Sequence, residues 1–269
     1  MIHLPEDDAV RGGVYLCQVG PRVSCGGCCG LYNHSMASSR TALHAVLAER
    51  TQAFAAVPRT VEAITAFEQD RLQIEGSARP IASFHHCVFV GLIQDNGERI
   101  GCLLHPLALG NKGVDWRGLS FYGGAACKFF FCPSYDQMEA RWKQTVRLVL
   151  DDWYEYGLII VEHRLLAAVF SWLETETGRP VQPNALTPSG RQTLADLLRL
   201  KITWPFRKPY TPLGWNFFST KDTARPALQA MGLSPHIAVM LQELDTDPDQ
   251  LGPAPTLLIQ YLDAAAQAF

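Results

Sequence analysis

The sequence predicts an α+β fold that is mostly helical, with metal-binding loops and a β-hairpin in its first half. Apolar residues recur at intervals of three to four through much of the second half, as in amphipathic helices. A run of strand-forming residues precedes the turn dipeptide Asn96-Gly97, as in a β-hairpin. Three cysteines and three glycines fall between Cys25 and Gly30, a composition typical of a loop folded around a metal. We expect a metal-binding region at 1–133 and a helical region at 134–269, packed as one continuous fold.

Composition excludes several functional classes. The 269 residues are 48% hydrophobic and 18% charged, which indicates a globular chain. The net charge is −3 and the basic residues are scattered, so no nucleic-acid partner is expected. The apolar runs at 87–93 and 158–161 are shorter than the roughly 20 residues of a membrane span, so no membrane association is expected.

The acidic first residues carry no apolar segment of the kind found in a secretory signal peptide, and we therefore expect a cytoplasmic protein. Thiols stay reduced in that compartment. Eight clustered cysteines then favour metal binding over a disulfide framework.

The first half begins with an irregular segment in which a short strand at 14–17 is possible. Ser38 and Ser39 offer an N-cap for a helix through about Ala56. A second helix is expected from Thr60 to Glu75, and Gly76 would end it.

A β-hairpin is predicted over residues 84–104. With Asn96-Gly97 as the two turn residues, Gly91 would lie opposite Cys102. Cys87 would then share a face with Cys102 at a distance of roughly 13 Å, too far for a single ion. A bend, a bulge or an early exit of Cys87 from the strand would bring the two closer.

A glycine-rich loop is expected at 105–126, and loops of this length are usually functional or flexible. It leads into Cys127 and Cys132. The three phenylalanines between these two thiols are expected to keep water from the site.

The second half is predicted to be helical. One helix is expected from Ser134 to about Tyr156, with Gly157 as a possible interruption, and another from Leu158 to Glu176, ended by 178–180. Further along the chain we expect a helix capped by Ser189 and running to about Leu200, an irregular aromatic segment at 201–221, short helices near 225–231 and 235–245, and a terminal helix at 256–269.

The cysteine-rich segments are expected to converge on one metal centre. Zinc takes four N, S or O ligands, and a [4Fe–4S] cluster usually takes four thiolates. Adjacent residues such as Cys28 and Cys29 tend to point apart, so they can serve one cluster or two ions more easily than one zinc tetrahedron. The thiols exceed four, so either some are not ligands or the centre is polynuclear. The expected metal ligands are Cys25, Cys28, Cys29, Cys102, Cys127 and Cys132, with Cys87 next.

Other cysteine and histidine residues near this centre are given structural roles, except His105, which is left open. Cys17 lies among apolar neighbours and is taken as a small buried hydrophobic residue. His105 follows Cys102 by three, so that it is either a ligand or a hydrogen-bonded neighbour of the site. His85 and His86 are taken as structural. No catalytic residue is identified.

The motif Cys-Gly-x-Cys-Cys at 25–29 resembles the core of the YkgJ-type cysteine-cluster family, whose members are described as zinc- or iron-chelating. The resemblance extends over about residues 22–135 through the segments at 87–90, 95–97, 102–106 and 127–132. Differences are Arg22 where the family often has a cysteine, Gly123-Gly124 in place of Arg-Pro, and a long insertion at 106–122. The resemblance implies metal chelation. Flagellin lysine methylases carry a similar cluster, which adds a methylase-like enzyme as an alternative.

Three functions follow as hypotheses. The first is a metal-binding protein whose cysteine cluster holds zinc or iron at a structural or regulatory site. The second is an iron–sulfur redox protein or enzyme, which more than four thiols would favour. The third is a metal sensor or carrier. A protein partner is not identified from the sequence.

Overall fold

A computed structural model describes residues 3–76, 78–93, 98–218 and 232–269. The fold is α+β and mostly helical, as predicted. The chain divides into two compact units that are discontinuous in sequence. The helical unit comprises residues 1–16, 133–151 and 158–269, and the cysteine unit comprises residues 17–132 and 152–157. All eight cysteines therefore belong to the cysteine unit.

Two long helices form the frame of the cysteine unit. Helix α1 spans Arg40–Ala55, and its N-cap Ser39 accepts a hydrogen bond from the Ala42 N–H. Helix α2 spans Val61–Glu75, with Thr60 as N-cap and Gly76 at the C-terminal end with φ +73°. Both helices and their caps agree with the sequence prediction. Their apolar faces meet through Phe54 and Phe67, whose rings contact the ring of Phe89 at centroid distances of 6.1 and 5.8 Å.

The hairpin of the cysteine unit is shorter than predicted, and its register differs by one residue. Strand β1 spans Val90–Leu92 and strand β2 spans Ile100–Cys102, and they pair antiparallel. Val90, and not Gly91, lies opposite Cys102. This register requires an odd number of connecting residues, whereas Asn96-Gly97 as a two-residue turn requires an even number. The turn residues themselves lie outside the described ranges.

The segment between the hairpin and Cys132 contains more helix than predicted. A 3₁₀ turn spans Arg117–Leu119, and helix α3 spans Gly123–Phe129 and carries Cys127. Gly123, with φ +74°, begins this helix. The glycines therefore start a helix where a loop was expected. The predicted strand at 14–17 is also absent from this described segment, in which Val14 and Leu16 are buried as irregular chain.

The prediction of one continuous helix from Ser134 to Tyr156 is wrong. The chain forms three separate helices here, and Gly157 lies inside the third of them rather than at an interruption. Glu139 and Leu150 have extended backbone angles at two of the breaks. The apolar spacing continues across these breaks because residues on both sides are buried, so periodicity does not reveal the bends. The helices are α4 (Ser134–Gln137), α5 (Ala140–Val149), α6 (Trp153–Ile160) and α7 (His163–Thr177).

The remaining helices complete the helical unit. Thr187, not Ser189, caps the helix that begins at Pro188, because its side chain accepts from the Gly190 N–H and Pro188 occupies the first helical position. The predicted helix near 225–231 lies outside the described residues. The later helices are α8 (Pro188–Thr203), the short α9 (Trp215–Phe218), α10 (Pro235–Glu243, capped by Ser234) and α11 (Ala254–Gln267).

Helix α7 is the centre of the helical unit. It packs against α10 and α11, and α11 also packs against α8. Its buried face includes Leu166, Phe170 and Leu173. Within the described ranges no single helix is long and apolar enough to cross a membrane, although α6 and α7, which are sharply bent at their junction, meet that criterion when taken together.

Candidate metal centre

The loop that carries Cys25 begins at a β-bridge. Gln18 pairs antiparallel with Ser24, and the Cys25 N–H donates to the Cys17 carbonyl at 2.9 Å. Cys17 therefore lies opposite Cys25 in this short ladder, and opposed residues project their side chains to the same side. Ser24 fastens the bridge to the hairpin, since its Oγ accepts from the Ile100 N–H at 3.1 Å.

A tight turn follows and separates the next two thiols. The Gly30 and Leu31 N–H groups donate to the carbonyls of Gly27 and Gly26, which closes the turn. Gly26 leaves no room for a side chain, because a Cβ there would lie 2.8 Å from Leu31 Cδ2. Gly30 adopts φ +71°, and its Cβ would lie 2.0 Å from the His85 carbonyl oxygen. The glycines are thus required by backbone conformation and by close contact.

Cys28 and Cys29 have different neighbours. The Cys28 thiol is hydrogen-bonded to the Cys132 thiol, which is the main cause that raises the pKa of Cys28. The Cys29 carbonyl instead accepts from the Cys87 N–H at 2.8 Å. Burial first, and then the Cys87 and Cys102 thiols, raise the pKa of Cys29. The two adjacent cysteines therefore belong to different surroundings.

Cys87 leaves the hairpin before the strand begins. A turn links the Val90 N–H to the Cys87 carbonyl at 3.5 Å, and β1 starts only at Val90. Cys102 lies opposite Val90 at the end of β2. Because Cys87 lies outside the strand and the register differs, the extended-strand separation of about 13 Å does not apply. After burial, Cys102 is the thiol that most raises the pKa of Cys87.

Cys127 approaches from helix α3. Its Sγ lies 3.2 Å from the Ser120 Oγ, just after the turn at Arg117–Leu119. Two of the phenylalanines that follow do not shield the site as expected, because Phe129 and Phe130 are 68% and 57% exposed. Cys132 is buried, at 5% exposure.

Three of the thiols accept hydrogen bonds from the backbone two residues further along the chain. The Gly27 N–H donates to the Cys25 Sγ at 3.4 Å. The Cys87 thiol accepts from the Phe89 N–H, and the Cys102 thiol accepts from the Leu104 and His105 N–H groups. Each of these donors lowers the thiol pKa, because an N–H stabilises the anionic sulfur that binds a metal.

These donors do not outweigh burial. Burial, followed by the neighbouring thiols, raises the pKa of Cys25. Burial raises the pKa of Cys87 to about 12 and that of Cys102 to about 11. For these three thiols the neutral form is therefore favoured in the protein alone, and a bound cation would reverse that preference.

None of the eight cysteines forms a disulfide. The spacing of their sulfur atoms also differs from that around a bound zinc ion. In a zinc tetrahedron with Zn–S bonds of about 2.3 Å, the sulfurs lie about 3.8 Å apart. Within the described ranges, no three thiols lie within 4.8 Å of one another.

A different group does bring its possible ligand atoms within 4.8 Å of one another, namely His34, Glu75 and His86. A cation already lies there, because the Arg50 guanidinium pairs with both oxygens of Glu75 and holds the pKa of that carboxyl well below its usual range despite burial. The His34 Nδ1 accepts from the Met36 N–H at 3.1 Å, which leaves its proton on Nε2, 3.5 Å from the Glu75 Oε2. His86 Nε2 faces the Arg50 Nη2 at 3.1 Å and can only accept from it. A metal would have to displace the guanidinium, so the group is a buried ion-pair network.

This network supports the Cys87 turn. The Arg50 Nη1 donates to the carbonyls of Cys87 and Val90 at 3.3 and 3.2 Å. His86, whose side chain also belongs to the network, directly precedes Cys87. The network therefore fixes the backbone that presents one of the candidate ligands.

His105 is poorly prepared to be a ligand. It is half-buried, and its Nδ1 accepts from the Leu107 N–H at 3.2 Å, which places its proton on Nε2. Its own N–H donates to the Cys102 carbonyl at 3.1 Å as well as toward the thiol. His105 contributes through its backbone.

The structure gathers every predicted cysteine ligand in the cysteine unit, and it adds Cys17. From sequence, the apolar neighbours of Cys17 resemble those of a buried hydrophobic residue, and its position opposite Cys25 was not predicted. Its pairing with Cys25 depends on the bridge at Gln18 and Ser24, which the turn-rich segment 19–23 indicates only weakly. In comparisons with known proteins, no family model matches the chain, and no curated protein or solved structure is significantly similar to it.

Proposed function

We propose that this protein binds a thiophilic metal, zinc or iron, through the thiolates of its cysteine unit. The observation that carries the proposal is the repeated N–H···S hydrogen bond from the residue two positions after Cys25, Cys87 and Cys102. Backbone donors arranged around a sulfur favour its ionised, metal-binding form. Catalytic chemistry by an exposed nucleophilic thiol is a weaker alternative, because reactive cysteines have lowered pKa values and those of Cys25, Cys28 and Cys29 are raised.

Of the two metals, an iron–sulfur centre has the better support. Its thiolates are held apart by the iron and sulfide atoms between them, whereas thiols around one zinc ion lie about 3.8 Å apart. The spread of the thiols beyond 4.8 Å in groups of three favours the former. A redox protein or an enzyme is then the second candidate function beside a structural or regulatory site.

The remaining parts of the proposal come from the sequence. The resemblance to the YkgJ-type cysteine-cluster proteins supports metal chelation, and the methylase-like alternative rests on that resemblance alone. A cytoplasmic location is consistent with eight cysteines and no disulfide. A metal sensor or carrier would require release of the ion, which chelator competition would measure.

Elemental analysis and an absorbance spectrum on protein purified without air test the proposal. Iron with acid-labile sulfide and a broad visible band support the iron–sulfur form. Zinc without a visible band supports the structural or regulatory form. Protein that takes up neither metal, even after reconstitution with ferrous iron and sulfide or with zinc, would falsify the proposal.

A further inference from the structure

The eight thiols of the cysteine unit separate into two groups, and the division falls between Cys28 and Cys29. These adjacent residues direct their contacts differently, as the Cys28 thiol bonds to Cys132 and the Cys29 backbone bonds to Cys87. Two adjacent residues therefore belong to two different groups of thiols. If the cysteine unit binds metal as proposed above, these two groups determine how many centres it holds.

The first group is built on the ladder between Cys17 and Cys25. The 2.9 Å hydrogen bond between their backbones places both side chains on one side of the ladder. The strongest neighbours of Cys25 are the thiols of Cys132 and Cys17, and those of Cys28 are the thiols of Cys132, Cys25 and Cys17. Four thiols therefore act on one another here, with the backbone pairing of Cys17 and Cys25 and the thiol hydrogen bond of Cys28 and Cys132 as the contacts that join them.

The second group is built on the hairpin. The Cys87 turn is bonded to the Cys29 carbonyl, and Cys102 is held at the end of β2. The strongest neighbours of Cys29 are the thiols of Cys87, Cys102 and Cys127, followed by Cys25. Cys87 and Cys102 are each influenced by Cys127. A second set of four thiols results.

We infer that the cysteine unit contains two metal sites, each with four thiolate ligands. Four thiolates are a full ligand set for a four-iron cluster or for a zinc ion, so neither site needs His105 or an external ligand. The inference assigns Cys17 as a ligand and changes the predicted single centre into two. The first site consists of Cys17, Cys25, Cys28 and Cys132, and the second consists of Cys29, Cys87, Cys102 and Cys127.

Metal content of serine variants tests the inference. The full chain is reconstituted without air, with ferrous iron and sulfide in one arm and with zinc in the other. We expect about eight irons or about two zincs per chain. Cys17→Ser and Cys127→Ser should each lose about half of the metal, and the double variant should lose nearly all of it. His105→Ala is the control and should retain full metal content.

Alkylation of the wild-type protein gives a second measurement that does not depend on the folding of variants. Metal is withdrawn gradually by a chelator, free thiols are alkylated, and the intact mass is recorded. Two sites predict an intermediate with four labels, which peptide mapping places on one complete group. A change from no labels directly to eight, labelling of Cys17 in the loaded protein, or full metal content in Cys17→Ser would overturn the two-site inference while metal binding stands. Wild-type protein that binds neither metal would overturn both.

Discussion

At the scale of single residues, Glu75 is a buried carboxylate whose charge is balanced by the buried guanidinium of Arg50. It is buried with Arg50 between two histidines, and Arg50 also holds the Cys87 turn. Glu75→Gln would leave the Arg50 charge buried without its carboxylate, which typically costs about 3–5 kcal/mol. We expect reduced stability in urea unfolding and a lower metal content at the site that includes Cys87.

A matched control is available for this prediction. Glu49 pairs with Arg71 at 2.8 Å, but its side chain is 60% exposed. Exposed ion pairs contribute about 0–1 kcal/mol, so Glu49→Gln should change little. Equal effects of the two substitutions would contradict the role given to the buried network.

We expect Glu243 to make the stability of the helical unit depend on pH. Burial raises its pKa to about 7, and Glu162 and Asp245 add to this, whereas Arg164 and Lys201 oppose it. Its raised pKa means that the folded state favours the protonated form. The associated stability is present below about 4.5 and is lost as the pH rises toward 7.

Urea unfolding at about pH 5 and about pH 8 measures this effect, which is at most about 3 kcal/mol. Glu243→Gln should lose less stability than the wild type between the two conditions. Glu176, an exposed residue of α7, serves as the comparison, and Glu176→Gln should behave as the wild type does. Parallel curves for the Glu243→Gln variant and the wild type would refute the assignment.

At the scale of elements, the turn from Cys25 to Leu31 depends on Gly30. An alanine there would combine a left-handed backbone with a Cβ placed 2.0 Å from the His85 carbonyl oxygen. Gly178, at the end of α7, has φ +68° and no atom within 4 Å of a built Cβ. Gly178→Ala should therefore cost only the strain of a left-handed backbone, about 1–2 kcal/mol.

We expect Gly30→Ala to cost more than Gly178→Ala in thermal unfolding, because the turn must also move away from residue 85. Metal content should fall in the first variant and stay unchanged in the second. If both variants bind metal equally well, close packing of this turn is not needed for the centre.

The same elements show what sequence can and cannot predict. Helices α1 and α2 were predicted with their caps because Ser39, Thr60 and Gly76 act within one turn of the helix. The bends between α4 and α6 were not predicted, since buried residues on both sides preserve the helical spacing. The hairpin register was wrong by one residue, because the number of connecting residues decides it and the favoured dipeptide implied two.

The candidate site, too, could be predicted only in part from the sequence. Residue type and spacing picked out thiols that the structure places in one compact unit, because cysteine clustering is visible along the chain. The pairing of Cys17 with Cys25 and the separate contacts of Cys28 and Cys29 arise from bonds between segments distant in sequence. A pattern within one segment does not contain that information.

At the scale of the whole molecule, the two units are stabilised differently. The helical unit has an apolar core along α7 together with a buried ion pair between Lys201 and Glu162 at 3.0 Å. In the cysteine unit, the segments that carry the thiols include only short regular elements, of which β1 and β2 have three residues each. Metal bonds would supply cross-links that these segments otherwise lack.

Amide hydrogen exchange with and without metal tests this difference. On chelation we expect residues 17–35 and 85–93, and 98–132 beyond them, to lose protection, because their backbone bonds lie in turns that the thiolates tie together. Helices α7, α10 and α11 should keep their protection, since buried side chains hold them. Equal loss throughout the chain would mean that the metal stabilises both units as one cooperative structure, and unchanged exchange at 17–35 would mean that the centre adds nothing to the fold around it.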